Sequence, residues 1–264
     1  MAQGSVAGGP TSEGPVTYDV ADGVAHLQLN RPDAANALDM ALATALREAT
    51  EWAQGDDDVR AVLLTGAGKR FCGGGDVASF AAAEDQATFL YALAVEADAA
   101  VRALEALSKP VVAAVQGAVA GAGLAIMLAA DVIVAAAGTK FVFAYPGIGL
   151  TPDCGVSWLL PRAIGQQRAL SFALANKPIG PETALEWGLV AEVVDEGVDA
   201  SVRAGEIAAG FAAGPAGALG QARRLLRAGW SQTREEMGLE EARTISAMVT
   251  GDEAQGLINA FVSR

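Results

Sequence analysis

Apolar and polar positions alternate through VAHLQL (24–29), with VTYDV (16–20) before it and Ala21-Asp22-Gly23 between them. That is the pattern of two strands joined by an Asp-Gly hairpin turn. The period then lengthens: behind Asp39, a residue suited to capping, Leu42, Leu46 and Ala49, with Trp52 or Ala53 beyond, recur at helical spacing. VRAVLLTG (59–66) is a buried strand, and past a glycine-rich loop an alanine-rich helix is predicted from about Glu84 to Leu107, ended by Lys109-Pro110. VVAAV (111–115) is the next strand, LAIMLAAD (124–131) a helix, and VIVAA (132–136) with TKFVFA (139–144) a further strand pair. Pro181 suits the first helical position of PETALEWG and Gly188 its C-terminal cap. LVAEVV (189–194) is the last strand, and from Asp199 onward the pattern is helical only.

Strands alternating with helices define an α/β class. The expected division is a disordered tail over 1–14, an α/β core over 15–198 and a C-terminal helical region over 199–264, with no linker that would separate two domains. Residues 111–130 carry no charge and are long enough to span a bilayer, but Gln116-Gly117 and the glycines at 121 and 123 divide them into strand, turn and buried helix.

Composition narrows the function. Of 264 residues 52% are hydrophobic and 19% charged, enough for one large core. A net charge of -13 opposes nucleic-acid or anionic-membrane partners, which need clustered Lys and Arg. Cys72 and Cys154 lie far apart and form no disulfide or zinc pattern, which suits a reduced, cytoplasmic protein. His26, the only histidine, alternates with apolar residues and is expected to be structural, which disfavours Ser-His-Asp hydrolysis and histidine-based metal sites.

Two stretches, AVLLTGAGKRFCGGGD (61–76) and VVAAVQGAVAGAGLAIM (111–127), each run strand, glycine-rich turn, helix start. Such turns expose unpaired N–H groups that a ligand can approach closely, and two of them together would build an oxyanion hole. Spacing alone favours the plainer reading, tight packing of helix on strand. Neither stretch has the spacing of a nucleotide-binding motif.

Four ordered blocks, LNRPDAANAL (29–38), RFCGGGDV (70–77), KPVVAAVQGAVAGAGLAIMLAAD (109–131) and PDCGVSWLLPRAIG (152–165), closely resemble the crotonase, or enoyl-CoA hydratase/isomerase, superfamily. The resemblance covers nearly the whole chain from about residue 15. It implies a superhelix of repeated strand-strand-helix units with C-terminal helices, and a homotrimer or a dimer of trimers. It implies an acyl-CoA substrate and no cofactor beyond the coenzyme A of that thioester, whose carbonyl oxygen would be held by the N–H groups of Gly75 and Ala122. Gly73 and Gly74 would allow the close approach, so that Gly74→Val is expected to abolish turnover without unfolding the protein. Family positions for the rest of the substrate fall on Ala34, Ala35, Ala37, Gly73, Gly74, Asp76, Val77, Ala78, Gly121 and Tyr145. Asp76 is expected to cap the helix after it rather than to contact the reacting group. Arg31, Lys69 and Arg70 are candidate phosphate neighbours.

Similar hydratases use two glutamates; here those positions fall on Ala125 and Tyr145. The remaining acid, Asp153 in TPDCG, resembles the catalytic acid of enoyl-CoA isomerases and of the ring-epoxide isomerase of phenylacetyl-CoA breakdown. One carboxylate serves a double-bond shift, since it can remove a proton at one carbon and return it at another. Without the resemblance, Asp153 reads as a helix N-cap and Cys154 as packing. Tyr145 would orient substrate or simply fill the space of a glutamate. An atypical hydratase and a non-catalytic acyl-CoA binding subunit remain open. A dehalogenase of the superfamily fits less well, because its tryptophan falls on Tyr145 and its histidine on no histidine.

Overall fold

The computed structural model describes residues 13–263. The first twelve residues of the expected tail lie outside them. β1 (Val16–Ala21) and β2 (Val24–Leu29) form the expected antiparallel hairpin, with Asp22 and Gly23 both at positive φ (50° and 77°). α1 (Met40–Gly55) starts where the Asp39 carboxylate accepts the Leu42 N–H at 2.8 Å, and it buries Leu42, Leu46, Ala49 and Ala53. β3 (Ala61–Gly66), the short α2 (Val77–Ala81) and the long α3 (Gln86–Ala106) follow. The uncharged stretch divides into β4 (Val111–Val115), β5 (Ala118–Ala120) and α4 (Ala122–Leu128). Among the described residues no helix is long and apolar enough to cross a membrane.

After β6 (Val132–Ala135) and β7 (Lys140–Val142) come α5 (Val156–Ile164), α6 (Gln166–Ala175), α7 (Pro181–Trp187) and the two-residue β8 (Glu192–Val193). Pro181 opens α7 and Gly188 caps it at φ 76°. Four helices end the chain: α8 (Ala200–Ala213), α9 (Ala216–Ala228), α10 (Arg234–Met248) and α11 (Asp252–Val262).

The main sheet has six strands in the order β1-β2-β3-β4-β6-β8, parallel except for the hairpin. Every residue of β4 is buried, as a parallel strand covered on both faces requires. One face packs through Leu27, Leu64 and Ala113 against the core that α1, α3 and α4 share. The other meets α8, whose Ala204 and Ala208 lie on Val112, Ala114 and Val134. His26 sits on this second face, its Nε2 2.8 Å from Thr65 Oγ1.

The strand pair expected at 132–144 is not a pair. β6 joins the main sheet, whereas β7 crosses to a second, two-stranded sheet with β5, a strand that the apolar pattern hides inside a glycine turn. Lys140 N–H donates to Gly117 O at 2.7 Å, so the bend at 136–139 moves the chain from one layer to the other. The small sheet positions both glycine loops.

Candidate active site

The first loop is tied down before it reaches its glycines. Asn36, fully buried at φ 51°, donates to Ala67 O at 2.9 Å and Arg70 O at 2.7 Å and accepts the Arg31 N–H at 2.8 Å. Farther on, Leu38 N–H donates to Gly74 O at 2.7 Å and Leu38 O accepts the Asp76 N–H at 2.9 Å. In such a parallel bridge the residue between, Gly75, turns its own N–H to the opposite side.

On that side runs the second loop. Cys72 is bridged in parallel to Val119, with Ala120 N–H on Cys72 O at 3.0 Å, and beyond this bridge Gly75 and Ala122 both reach the lining of one cavity. Ala122 opens α4, where a first-turn N–H has no intrahelical acceptor. Among the described residues no backbone carbonyl accepts from Gly75 or Ala122. Gly74 takes φ 106°, and a Cβ there would stand 3.2 Å from Ala120 O. Both facts make Gly74→Val a strained substitution, so the expectation that it spares the fold is corrected. A Cβ on Gly75 would meet nothing nearer than Phe80, at 3.9 Å.

The loops form one wall of a cavity of about 410 Å³. Gly73, Gly74, Gly75, Gly121 and Ala122 line that wall; Val77 and Phe80 of α2, and Leu90, Tyr91, Leu93 and Ala94 of α3, add side chains to the lining. The segment from Ala144 to Asp153 closes it with Tyr145, Ile148, Leu150 and Asp153. A larger cavity of about 530 Å³ lies elsewhere, between Leu128, Leu159, Phe211 and Trp230. Its buried charge is already matched, since Arg223 binds Asp131 at 2.6 Å and the carbonyls of Leu104, Glu105 and Leu107.

Asp153 caps no helix. α5 starts at Val156 behind Gly155, without a side-chain cap. The half-buried carboxylate instead accepts the Tyr145 hydroxyl at 2.7 Å. Burial, and then the negative charge of Asp153, push the Tyr145 phenol far above its ordinary range, so that it stays protonated and remains a donor. The same two causes push up the buried Cys154 thiol, which fits packing rather than reactivity.

Tyr145 follows a strained turn. Ala144 has φ 69° and ψ -36°, and the Tyr145 N–H folds back onto Phe143 O at 2.9 Å, closing a γ-turn. A non-glycine residue held there costs about 1–3 kcal/mol. The Ala144 N–H is satisfied by Asn176 Oδ1 at 2.9 Å.

Of the residues expected from sequence, Gly73, Gly74, Gly75, Val77, Gly121, Ala122, Tyr145 and Asp153 come together around this cavity. Ala34, Ala35, Ala37, Asp76 and Ala78 are not among its lining residues. Ala35 O instead accepts the Gly73 N–H at 2.9 Å, supporting the loop from behind. Asp76 caps α2 through the Ser79 N–H and binds Arg31 at 3.0 Å. Arg31 also binds Asp39 at 3.0 Å and the Ala37 carbonyl, so its guanidinium is occupied within the chain. Sequence reasoning missed the α3 face of the cavity; the only signal was that ATFLYALAV (87–95) is apolar on more sides than one core stripe needs.

A family model described as enoyl-CoA hydratase/isomerase matches residues 19–264. The chain is 35% identical over 248 residues to the 1,2-epoxyphenylacetyl-CoA isomerase of Escherichia coli, covering 93% of this chain and 94% of that one. It is equally similar, 35% over 249 residues and 94% and 95% of the two chains, to a Rhodobacter capsulatus protein described as a probable enoyl-CoA hydratase. A solved enoyl-CoA hydratase/isomerase-type structure from Mycobacterium abscessus superposes with a TM-score of 0.89 at 39% identity, over 94% of this chain and 96% of that one. The protein therefore belongs to the enoyl-CoA hydratase/isomerase family and has its mixed α/β crotonase fold.

Proposed function

We propose that the protein isomerises an unsaturated acyl-CoA by a single-carboxylate proton shuttle. The observation that carries this reading is the Asp153 carboxylate, bound by Tyr145, in the lining of an apolar cavity whose wall presents the Gly75 and Ala122 backbones. The positions of the two hydratase glutamates hold Ala125, buried within α4, and Tyr145, whose hydroxyl stays protonated. Neither can activate water.

The thioester carbonyl lies between the Gly75 and Ala122 N–H groups. Asp153 takes a proton from C2 of a 3-enoyl thioester, and the electron pair of that C–H bond moves onto the carbonyl oxygen to give a dienolate. Each N–H contributes about 3 kcal/mol to the negative oxygen. Protonated Asp153 returns the proton at C4 as the enolate collapses, leaving the double bond between C2 and C3 and the carboxylate restored. The E. coli relative, which acts on an epoxidised ring, extends the candidates to cyclic acyl groups in the same cavity.

The test is an ultraviolet assay with a 3-enoyl-CoA and, separately, a 2-enoyl-CoA. Conjugation should appear from the first and fall by about a hundred- to ten-thousandfold in Asp153→Asn. Loss of conjugation from the 2-enoyl substrate regardless of Asp153 would make the protein a hydratase, and inertness toward both with tight thioester binding would make it a binding subunit.

A further inference from the structure

We infer that Asn176 is a positioning residue for Asp153, acting through Ala144 and Tyr145. The inference rests on the reading of Asp153 as the proton carrier. Asn176 ends α6 in the left-handed conformation (φ 48°, ψ 36°), a frequent place for asparagine at a helix C-terminus, and its own N–H caps onto Phe172 O. A cap needs only that backbone. The side chain does something else: it reaches across to the Ala144 N–H at 2.9 Å, at the centre of the γ-turn that aims Tyr145 at Asp153.

A second contact ties the same two elements. Phe172 of α6 packs edge-on against Phe143 with centroids 6.4 Å apart, and Phe143 packs edge-on against Tyr145 at 5.2 Å. Aromatic packing confines the Tyr145 ring, and the Asn176 amide fixes the backbone from which the ring departs. The amide also lies along the next residues, since a Cβ on Gly147 would come within 3.2 Å of Asn176 Nδ2. α6 is thereby joined to a hydroxyl that holds the carboxylate at 2.7 Å. Without the Asn176 acceptor, the Ala144 N–H loses its partner and the left-handed turn is free to relax, which would carry the Tyr145 hydroxyl away from Asp153. A one-carboxylate shuttle needs that carboxylate in reach of two carbons in turn, so its placement bears on kcat more than on thioester binding.

Asn176→Gly separates this role from capping, because glycine is favoured at a left-handed cap but offers no side-chain acceptor. Asn176→Asp restores an oxygen for the Ala144 N–H. The expected result for Asn176→Gly is a kcat about 10- to 100-fold lower on the 3-enoyl-CoA with KM changed little and the thermal midpoint retained, and for Asn176→Asp recovery of most of the loss. A second readout needs no turnover. Protein labelled with 13C at tyrosine Cζ shows three tyrosines, and the Tyr145 resonance, assigned with Tyr145→Phe, should move in Asn176→Gly and stay in Asn176→Asp. An unmoved resonance, or an unchanged kcat in Asn176→Gly, overturns the inference. If the wild-type protein is as inactive as Asp153→Asn, it is the proposed function that has failed, and the Tyr145 resonance alone then decides whether Asn176 positions the pair.

Discussion

Gly74 and Gly75 are neighbours with opposite tolerances. Gly74 is left-handed and leaves no room for a side chain beside Ala120 O, so Gly74→Val should lower the urea midpoint and lose activity through the fold. Gly75→Ala should unfold at the wild-type denaturant concentration yet turn over about tenfold or more slowly, because its methyl group enters the space where a thioester oxygen would sit. Equal stability losses in both variants would contradict this. The cysteines carry a labelling prediction. Burial pushes the Cys72 thiol up to about 11, and Cys154 is raised further, so at pH 8 only roughly one Cys72 in a thousand is thiolate. Iodoacetamide at pH 8 should leave both unmodified in the folded protein and label both in urea, since both side chains are buried. Rapid labelling at pH 8 would show the site to be open. At this scale the sequence made Asp153 conspicuous through its motif but gave no sign of its hydroxyl partner. The pairing depends on a γ-turn at an alanine, and no residue preference announces such a turn.

Arg31 links two helix starts. Its guanidinium binds Asp39 and Asp76, the N-caps of α1 and α2, together with the carbonyl of Ala37, and α2 buries none of its own residues. Replacing it with methionine strands two partly buried carboxylates, for an expected loss of about 1.5–3 kcal/mol in urea unfolding. The loss should itself depend on pH. Burial opposes ionisation of Asp76, but the Arg31 guanidinium and the Ser79 N–H outweigh it and hold the carboxyl below its usual range. A carboxyl depressed in the folded state contributes stability in full above its unfolded value, near 4, and loses it as pH falls through the folded value. Wild type and Arg31→Met should therefore differ more at pH 7 than at pH 3; the reverse order would remove Asp76 from the account. Among the elements, those with long periods were legible. β1, β2, α1, β3, α3 and β4 follow from apolar spacing and caps, whereas β5 is three residues long inside a glycine turn and the parting of β6 from β7 is decided by which layer each strand meets. Arg31 was not legible for a related reason: a cation in an acidic chain suggests an external anion, and only the fold shows that two carboxylates reach this one.

The whole molecule leaves its C-terminal helices unfinished. Among the described residues α11 has no buried side chain, and an isolated helix of its eleven residues is marginal in water. Yet Leu257, Ile258, Phe261 and Val262 on it are exposed, as are Leu239 and Ile245 on α10 and Leu226 on α9. The pattern differs from that of α8, whose small alanines disappear against the sheet. Exposed apolar side chains concentrated on one end of a chain with a net charge of -13 call for a cover that is itself apolar, and a symmetric contact with a second copy supplies it without new chemistry. We propose on this ground that copies of the chain associate through these helices, as the homotrimer or dimer of trimers implied by the family resemblance would require. Light scattering at micromolar concentration should return three or six times the chain mass, and Phe261→Asp together with Leu257→Asp should shift it toward one chain while lowering the thermal midpoint, because the apolar face would then lose its cover. A wild-type monomer at those concentrations would mean that α11 is held by contacts within the chain. The same experiment bears on the site, since a mass change without loss of 3-enoyl-CoA turnover would show that each copy completes its own cavity from the walls that Gly75, Ala122 and Asp153 already define.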